Sequence, residues 1–182
     1  MTVPADATPP MAAITVRAAH SADVEVIADL HFRSAEAAFT SFAPRDRPVP
    51  TRADLARDWT TRLTDAPTLK RVTFVAEHDG TIVGVVEAGL EPTDQTLGRL
   101  SRCYIDPATW GTRVGSQLFE AAVTHMRGLG CTTAVGWVME HNRRSRERIE
   151  HLGMTPTGRR QPTCEAAVPS GIEDLQYLLD LR

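Results

Sequence analysis

The chain has 182 residues, 42% hydrophobic and 24% charged, with a formal net charge of −3 at pH 7. That length suits one domain with its own core, and the composition is that of soluble globular proteins. The acidic balance argues against a nucleic-acid binder driven by phosphate neutralisation, and no apolar run approaches the roughly 18 residues that cross a bilayer. In chain order, Met1 to Ala13 are rich in Pro, Ala and Thr and read as a disordered tail rather than a secretory signal. Ile14 to Arg17 alternate as a short strand, and Ser21 is placed to cap a helix bearing Val24, Ile27, Ala28, Leu30 and His31 at helical spacing. Ser41 to Pro50 breaks the chain with prolines. Thr51 with Asp54 then forms a capping-box start for a second helix, with Leu55, Trp59 and Leu63 on one face.

After Asp65 the period changes. Arg71 to Glu77 and Thr81 to Leu90 are strand-like, joined by His78-Asp79-Gly80, a hairpin turn with Asp-Gly at its centre. Leu97 to Ile105 is a further strand, ended by Asp106-Pro107. Val114 to about Leu129 is a helix with Val114, Leu118, Ala122, Met126 and Leu129 as its buried face, and Gly128 and Gly130 mark its end. Thr133 to Val138 reads as a buried strand, Asn142 to Leu152 as a helix, Met154 to Arg159 and Asp174 to Leu181 as strands. Hairpins first and a βαβ crossover after them predict an α/β fold: one mixed, mostly antiparallel sheet with helices on both faces.

Cys103, Cys131 and Cys164 are odd in number and widely spaced, which argues against a disulfide framework or a cysteine-based zinc site and favours a reducing cytoplasm. The histidines show no His-Glu-x-x-His spacing, so no metal is expected.

The segment Tyr104 to Leu118 carries the most chemistry. A strand stops at Pro107, a turn containing Gly111 follows, and an amphipathic helix starts at once. The first turn of a helix leaves N–H groups unpaired at the positive end of its dipole, and glycine lets an anion approach them closely. Trp110, Gly111, Thr112, Arg113, Val114, Gly115 and Ser116 therefore make a candidate pyrophosphate cradle, with Arg113 able to add a cation. The other reading is an ordinary strand-to-helix connection. It is neither a Walker loop nor a dinucleotide fingerprint, because neither glycine pattern is present.

This segment and the one at Asn142 together resemble the GCN5-related N-acetyltransferase (GNAT) superfamily. Cys103-Tyr104-Ile105-Asp106-Pro107 matches the family's apolar-aromatic-apolar-x-Pro strand end. Trp110 to Gly115 falls on Gln/Arg-x-x-Gly-x-Gly/Ala, and Asn142, Ser145, Ile149 and Gly153-Met154 fall on its downstream Asn-x-x-Ala/Ser-x-x-x-Tyr-x-x-x-Gly-Phe pattern. The resemblance implies a GNAT domain over residues 14–182, with acetyl-CoA as co-substrate, a primary amine on a small molecule or peptide as acceptor, and transfer by direct attack. It implies that Cys103, Tyr104 and Ile105 offer a strand edge to the pantetheine arm, and that a backbone N–H at Ile105 polarises the thioester carbonyl. It also implies that Asn142 and Ser145 lie near the cofactor. Homodimers are frequent in the family, and that analogy alone suggests one here.

Three positions depart from the pattern. Trp110 replaces Gln or Arg, Arg113 replaces the middle glycine and so must avoid positive φ, and Ile149 replaces a tyrosine that protonates the departing thiolate. Ile149 favours an alternative, a GNAT-like domain that binds CoA or another ligand without turnover.

An ammonium must lose its proton before attack, and Glu87 is the first candidate base, its other reading being a salt-bridge partner; Glu77 and His78 are weaker candidates. Cys103 is a candidate nucleophile or, more plainly, a strand cysteine. Asn142 has the second reading of a helix N-cap. Arg143, Arg144, Arg146 and Arg148 read as a solvated face from which one residue reaches the CoA 3′-phosphate. On the acceptor side, Phe32, Phe39, Phe42 and Trp59 are pocket or core residues, and Asp46 and Asp58 are either attractors of a cationic amine or surface charges.

Overall fold

A computed structural model describes residues 13–40, 49–64, 70–163 and 171–182. The expected tail up to residue 12, Phe42, Asp46 and Cys164 lie outside the described residues. In chain order the elements are β1 (Thr15–Ala18), α1 (Val24–Phe39), α2 (Arg52–Thr64), β2 (Arg71–His78), β3 (Thr81–Glu91), β4 (Asp94–Ile105), α3 (Val114–Gly128), β5 (Thr133–Met139), α4 (Arg143–His151), β6 (Thr155–Pro162) and β7 (Glu173–Asp180). The strands make one sheet in the order β1-β2-β3-β4-β5-β7-β6, antiparallel throughout except for the parallel pair β4 and β5. This is the mixed, mostly antiparallel α/β architecture that the element order implies.

The local chemistry explains most boundaries. The β2–β3 hairpin closes through Asp79 (φ 51) and Gly80 (φ 72), the paired positive φ values that an Asp-Gly turn supplies. At the start of α2, Thr51 Oγ1 accepts from the Asp54 N–H (3.1 Å) while the Asp54 carboxylate accepts from the Thr51 N–H (2.9 Å), a reciprocal capping box. Ser21 does not cap α1 directly. Asp23 is held by Arg17 of β1 at 2.7 Å and accepts from the His20 N–H, so residues 21–23 form a 3-10 turn and α1 begins at Val24. Strand β4 starts at Asp94, three residues before the expected Leu97, because it continues a tight hairpin whose polar residues carry no apolar signal.

Two cores sandwich the sheet. On one face α1 and α2 bury Ile27, Leu30, Leu55 and Trp59 against Val75, Ile82 and Val85. On the other, Val114, Leu118, Ala122 and Met126 of α3 pack on Ala76, Val83, Val86 and Ala88. Each fully buried large side chain contributes roughly 1.5–3 kcal/mol relative to exposure. Gly84 sits under α3 because a Cβ there would lie 2.7 Å from Leu118 Cδ1 and 2.8 Å from Val114 Cγ1.

Candidate active site

The end of β4 is converted into the start of α3 by a short series of side-chain bonds. Asp106 accepts from the Ala108 N–H at 2.9 Å, and Pro107 opens a 3-10 turn over residues 107–109. Gly111 then takes φ 86, a conformation costly for any other residue, and Thr112 Oγ1 donates back to the Thr109 carbonyl at 2.6 Å. Arg113, at φ −82, sits in the right-handed region, so its replacement of a glycine carries no backbone penalty. Among the described residues, the N–H groups of Gly111, Arg113, Gly115 and Ser116 meet no protein acceptor. These donors converge at the positive end of a 15-residue helix.

Helix α4 brings two guanidinium groups to this turn. Arg148 Nη2 donates to Ser116 Oγ at 3.0 Å, and the Arg144 guanidinium stacks 4.1 Å over the Trp110 ring. Trp110 Nε1 in turn donates to the Ile105 carbonyl at 3.0 Å. Trp110 thus ties the turn to the strand and presents a platform for a cation. Residues four apart share a helix face, which is why Arg144 and Arg148 arrive together while Arg143 pairs outward with Glu147 at 2.6 Å.

Beside the turn the sheet opens. Pairing between β4 and β5 covers only Gly98, Leu100 and the residue between them, facing Ala134 to Gly136. Beyond Leu100, β4 stays paired with β3 on its other side, and β5 stays paired with β7 through Met139. Ser101 to Ile105 therefore lie outside the β4–β5 pairing. The Asp106 N–H donates to the Val83 carbonyl at 2.9 Å, so by strand alternation the Ile105 N–H points the other way, into the opening. Cys103 lies on this edge, exposed to solvent. Asn142 and Ser145 lie at the start of α4 just past the end of β5, where Asn142 Oδ1 accepts from the Ser145 N–H at 3.1 Å as an N-cap. Ile149 lies one turn further along, half-buried.

Glu87 is on the α2 side of the sheet and buried. Ser101 Oγ donates to its Oε1 at 3.2 Å, Arg62 Nη1 to its Oε2 at 3.3 Å, and Arg71 stands 3.9 Å away. Asp58 is shared by Arg62 at 3.1 Å and Arg102 at 3.2 Å. Its charge is already answered, which removes it as an attractor for a cationic amine. Glu77 is bonded to Arg17 at 2.6 Å on β2, away from the opening, and His78 sits at the hairpin tip.

Trp59 and Phe39 are core residues, and Phe32 lies half-buried under Arg52 at 4.1 Å. His31 stacks on Tyr104 with centroids 3.7 Å apart, and its Nδ1 accepts from Trp59 Nε1 at 3.3 Å. Burial, reinforced by the Arg102 charge, pushes His31 down to about 4, so it is a neutral wall at physiological pH. Asp106 is raised by burial, but Arg33 at 2.6 Å and the Ala108 N–H outweigh that and hold its carboxyl below the usual range.

Sequence reasoning missed Arg62, Arg71 and Arg102. Arg62 and Asp58 stand four apart on α2, a local pair, but the reach of Arg62 and Arg71 to Glu87 is set by other elements. Arg102 adopts φ 51 at a β-bulge where the register with β3 shifts between Val85 and Glu87, a conformation that arginine does not advertise.

A model of the Acetyltransferase (GNAT) family matches residues 33–154. The chain belongs to that family. A mycothiol acetyltransferase of Thermobispora bispora is 34% identical over 86 residues, covering 45% of this chain and 29% of the relative, so the chain spans less than a third of that relative's length. Among solved structures, the PaiA N-acetyltransferase of Thermoplasma acidophilum, in complex with coenzyme A, superposes with a TM-score of 0.72 at 14% identity, covering 92% of this chain and 99% of that one. The yncA protein of Salmonella typhimurium, solved with its cofactor acetyl-CoA, gives 0.68 at 20% identity over 93% and 95% of the two chains. At such identities the structures speak for the GNAT fold, which this family member shares over nearly its whole length.

Proposed function

We propose that the chain moves an acetyl group from acetyl-CoA to a primary amine by direct attack. The observation that carries this reading is the β4 edge at Ser101 to Ile105, outside the pairing with β5, ending beside the N–H groups of Gly111, Arg113, Gly115 and Ser116 that meet no protein acceptor. The helix start holds the pyrophosphate, with Arg144 and Arg148 supplying cations. The edge at Cys103 to Ile105 receives the pantetheine arm as an added strand. Asn142, whose side-chain amide N–H groups are not used in the cap, and Ser145 flank it. Acetyl-CoA supplies the thioester. The Ile105 N–H meets the developing negative charge on its carbonyl oxygen, an effect on the order of 3 kcal/mol per donor. Direct attack needs no enzyme nucleophile. Glu87 serves as base through intervening water, since Arg62 and Ser101 occupy its direct hydrogen-bonding positions. Water supplies the proton that Ile149 lacks. The names of the relatives, an acetyltransferase and two proteins solved with CoA or acetyl-CoA, support the same donor. A cytoplasmic setting fits the free thiols of Cys103 and Cys131.

The test is release of free CoA thiol on incubation with acetyl-CoA and a panel of amines. One observation, Ile149 in place of a tyrosine, favours a second reading: a GNAT-like domain that binds CoA without turnover. Tight CoA binding with no thiol release across the panel decides for that reading.

A further inference from the structure

The α2 face of the sheet carries a continuous chain of charges whose two ends are both guanidinium groups. It runs Arg102–Asp58–Arg62–Glu87–Arg71, with separations of 3.2, 3.1, 3.3 and 3.9 Å. Each carboxylate is shared between two arginines, so three cations face two anions. Arg62, in the middle, is largely buried and doubly engaged, with its side chain 20% exposed. The terminal arginines are freer. Among the described residues, Arg102 makes one ion pair, and the nearest carboxylate oxygen to Arg71 lies beyond hydrogen-bond reach. A guanidinium has five N–H donors in a planar fork, and most of those on Arg102 and Arg71 are unspent.

The backbone is bent to bring Arg102 there. In a regular strand, Ser101 and Arg102 would point to opposite faces. The bulge in β4 sends both to the α2 side: Ser101 Oγ reaches Glu87 and Arg102 reaches Asp58. That requires φ 51 at a non-glycine residue, the kind of backbone strain that collects at functional sites. Arg102 follows Ser101, the first β4 residue past the last pairing with β5, and stands three residues before Ile105, so its backbone lies in the stretch of β4 outside that pairing. Trp59, with Arg102 at 6.0 Å from its ring, and the stacked pair His31 and Tyr104 form the apolar wall beside it.

We infer that the acceptor is an amine carrying an oxyanion group a few bonds from the nitrogen, a carboxylate in the first instance, docked on Arg102 at the β4 end of this chain. This rests on the acetyl-transfer reading and names its substrate class. A purely cationic amine approaching this face meets an excess of guanidinium charge with every carboxylate already shared. An amino acid or aminophosphonate brings the missing anion itself, and a planar carboxylate matches the guanidinium fork.

The test uses the full chain with saturating acetyl-CoA and matched acceptors: the twenty proteinogenic L-amino acids, their carboxamides, the amines left by decarboxylation, and the corresponding aminophosphonates. Thiol release is followed for each. The expected result is kcat/KM at least tenfold higher for the carboxylates than for their matched amides and amines, with the phosphonates reporting whether planarity or charge alone is recognised. Arg102→Gly keeps the positive φ, removes the guanidinium and should bring that ratio close to one while acetyl-CoA affinity by calorimetry stays the same. Preferred turnover of amides or bare amines overturns the inference and leaves acetyl transfer standing, as does a ratio unchanged in Arg102→Gly. Absence of turnover with every acceptor, acetyl-CoA being bound, overturns the acetyl-transfer reading and this inference with it.

Discussion

Gly115→Asp separates charge from shape at the start of α3. A Cβ added at Gly115 meets nothing nearer than Arg148 Nε at 4.0 Å, so the substitution has room. Glycine is a poor helix former, and an acidic side chain in the first turn complements the helix dipole, so stability should hold or rise by a few tenths of a kcal/mol. Ligand binding should move the other way. A carboxylate about 5 Å from a bound phosphate at an effective dielectric near 20 is repelled by roughly 3 kcal/mol, and salt trims that toward about 2 kcal/mol. The new carboxylate also competes for Arg148, which now donates to Ser116 Oγ. The expected loss in acetyl-CoA affinity is about 30-fold by titration calorimetry, shrinking as salt is raised, with an unchanged thermal melt. Gly115→Ala keeps the N–H and adds no charge, and should stay within about threefold of the parent. Wild-type affinity in folded Gly115→Asp would refute the placement of the pyrophosphate. An equal loss in Gly115→Ala would instead assign the effect to steric crowding.

His31 should make stability depend on pH. Its folded value is depressed to about 4 by burial and Arg102, whereas the unfolded value is near 6.5, so the unfolded chain binds the extra proton between those limits and stability falls as pH drops through that window. The full difference is about 3 kcal/mol, read as the change between pH 7 and pH 4 in the denaturation free energy of the parent relative to His31→Asn. A constant difference would remove the titration.

Glu87→Gln should lower turnover. A shifted pH profile of kcat/KM marks Glu87 as the base, while a raised acceptor KM on an unshifted profile marks it as the anchor of Arg62 and Arg71. Gly84→Ala should destabilise by about 1–3 kcal/mol through contact with Leu118 and Val114, which are locked in the core, and chemical denaturation should show it. Gly98→Ala should cost less, because its close neighbour is the flexible Met126 thioether, 2.6 Å from the built Cβ.

Local chemistry made much of this protein legible from its residues. The Asp79-Gly80 turn, the Thr51 and Asp54 box, and the face of α3 from Val114 to Met126 each rest on residues within a turn or two of one another, and each appears as expected. The strand, turn and helix from Tyr104 to Ser116 were legible for the same reason. What escaped was decided at long range. The facing of Glu87 depends on Arg62, Arg71 and Ser101, which come from three other elements. Arg144 and Arg148 were seen as arginines, but their approach to Trp110 and Ser116 depends on the packing of α4 against the turn. The bulge at Arg102 runs against residue preference, so no pattern in the sequence announces it.

The short pairing of Gly98 to Leu100 with Ala134 to Gly136 has a mechanical meaning. It divides the sheet into two plates, one of β1 to β4 and one of β5 to β7, joined by a seam a few residues long with α3 as the strap between them. A seam that short resists shear weakly, so the two plates can rock about it while each keeps its own ladder intact. An extended ligand lying along β4 would act as a shim, turning the hinge into a continuous beam. Amide exchange should then slow in both β4 and β5 when the donor binds, including at backbone sites it never touches.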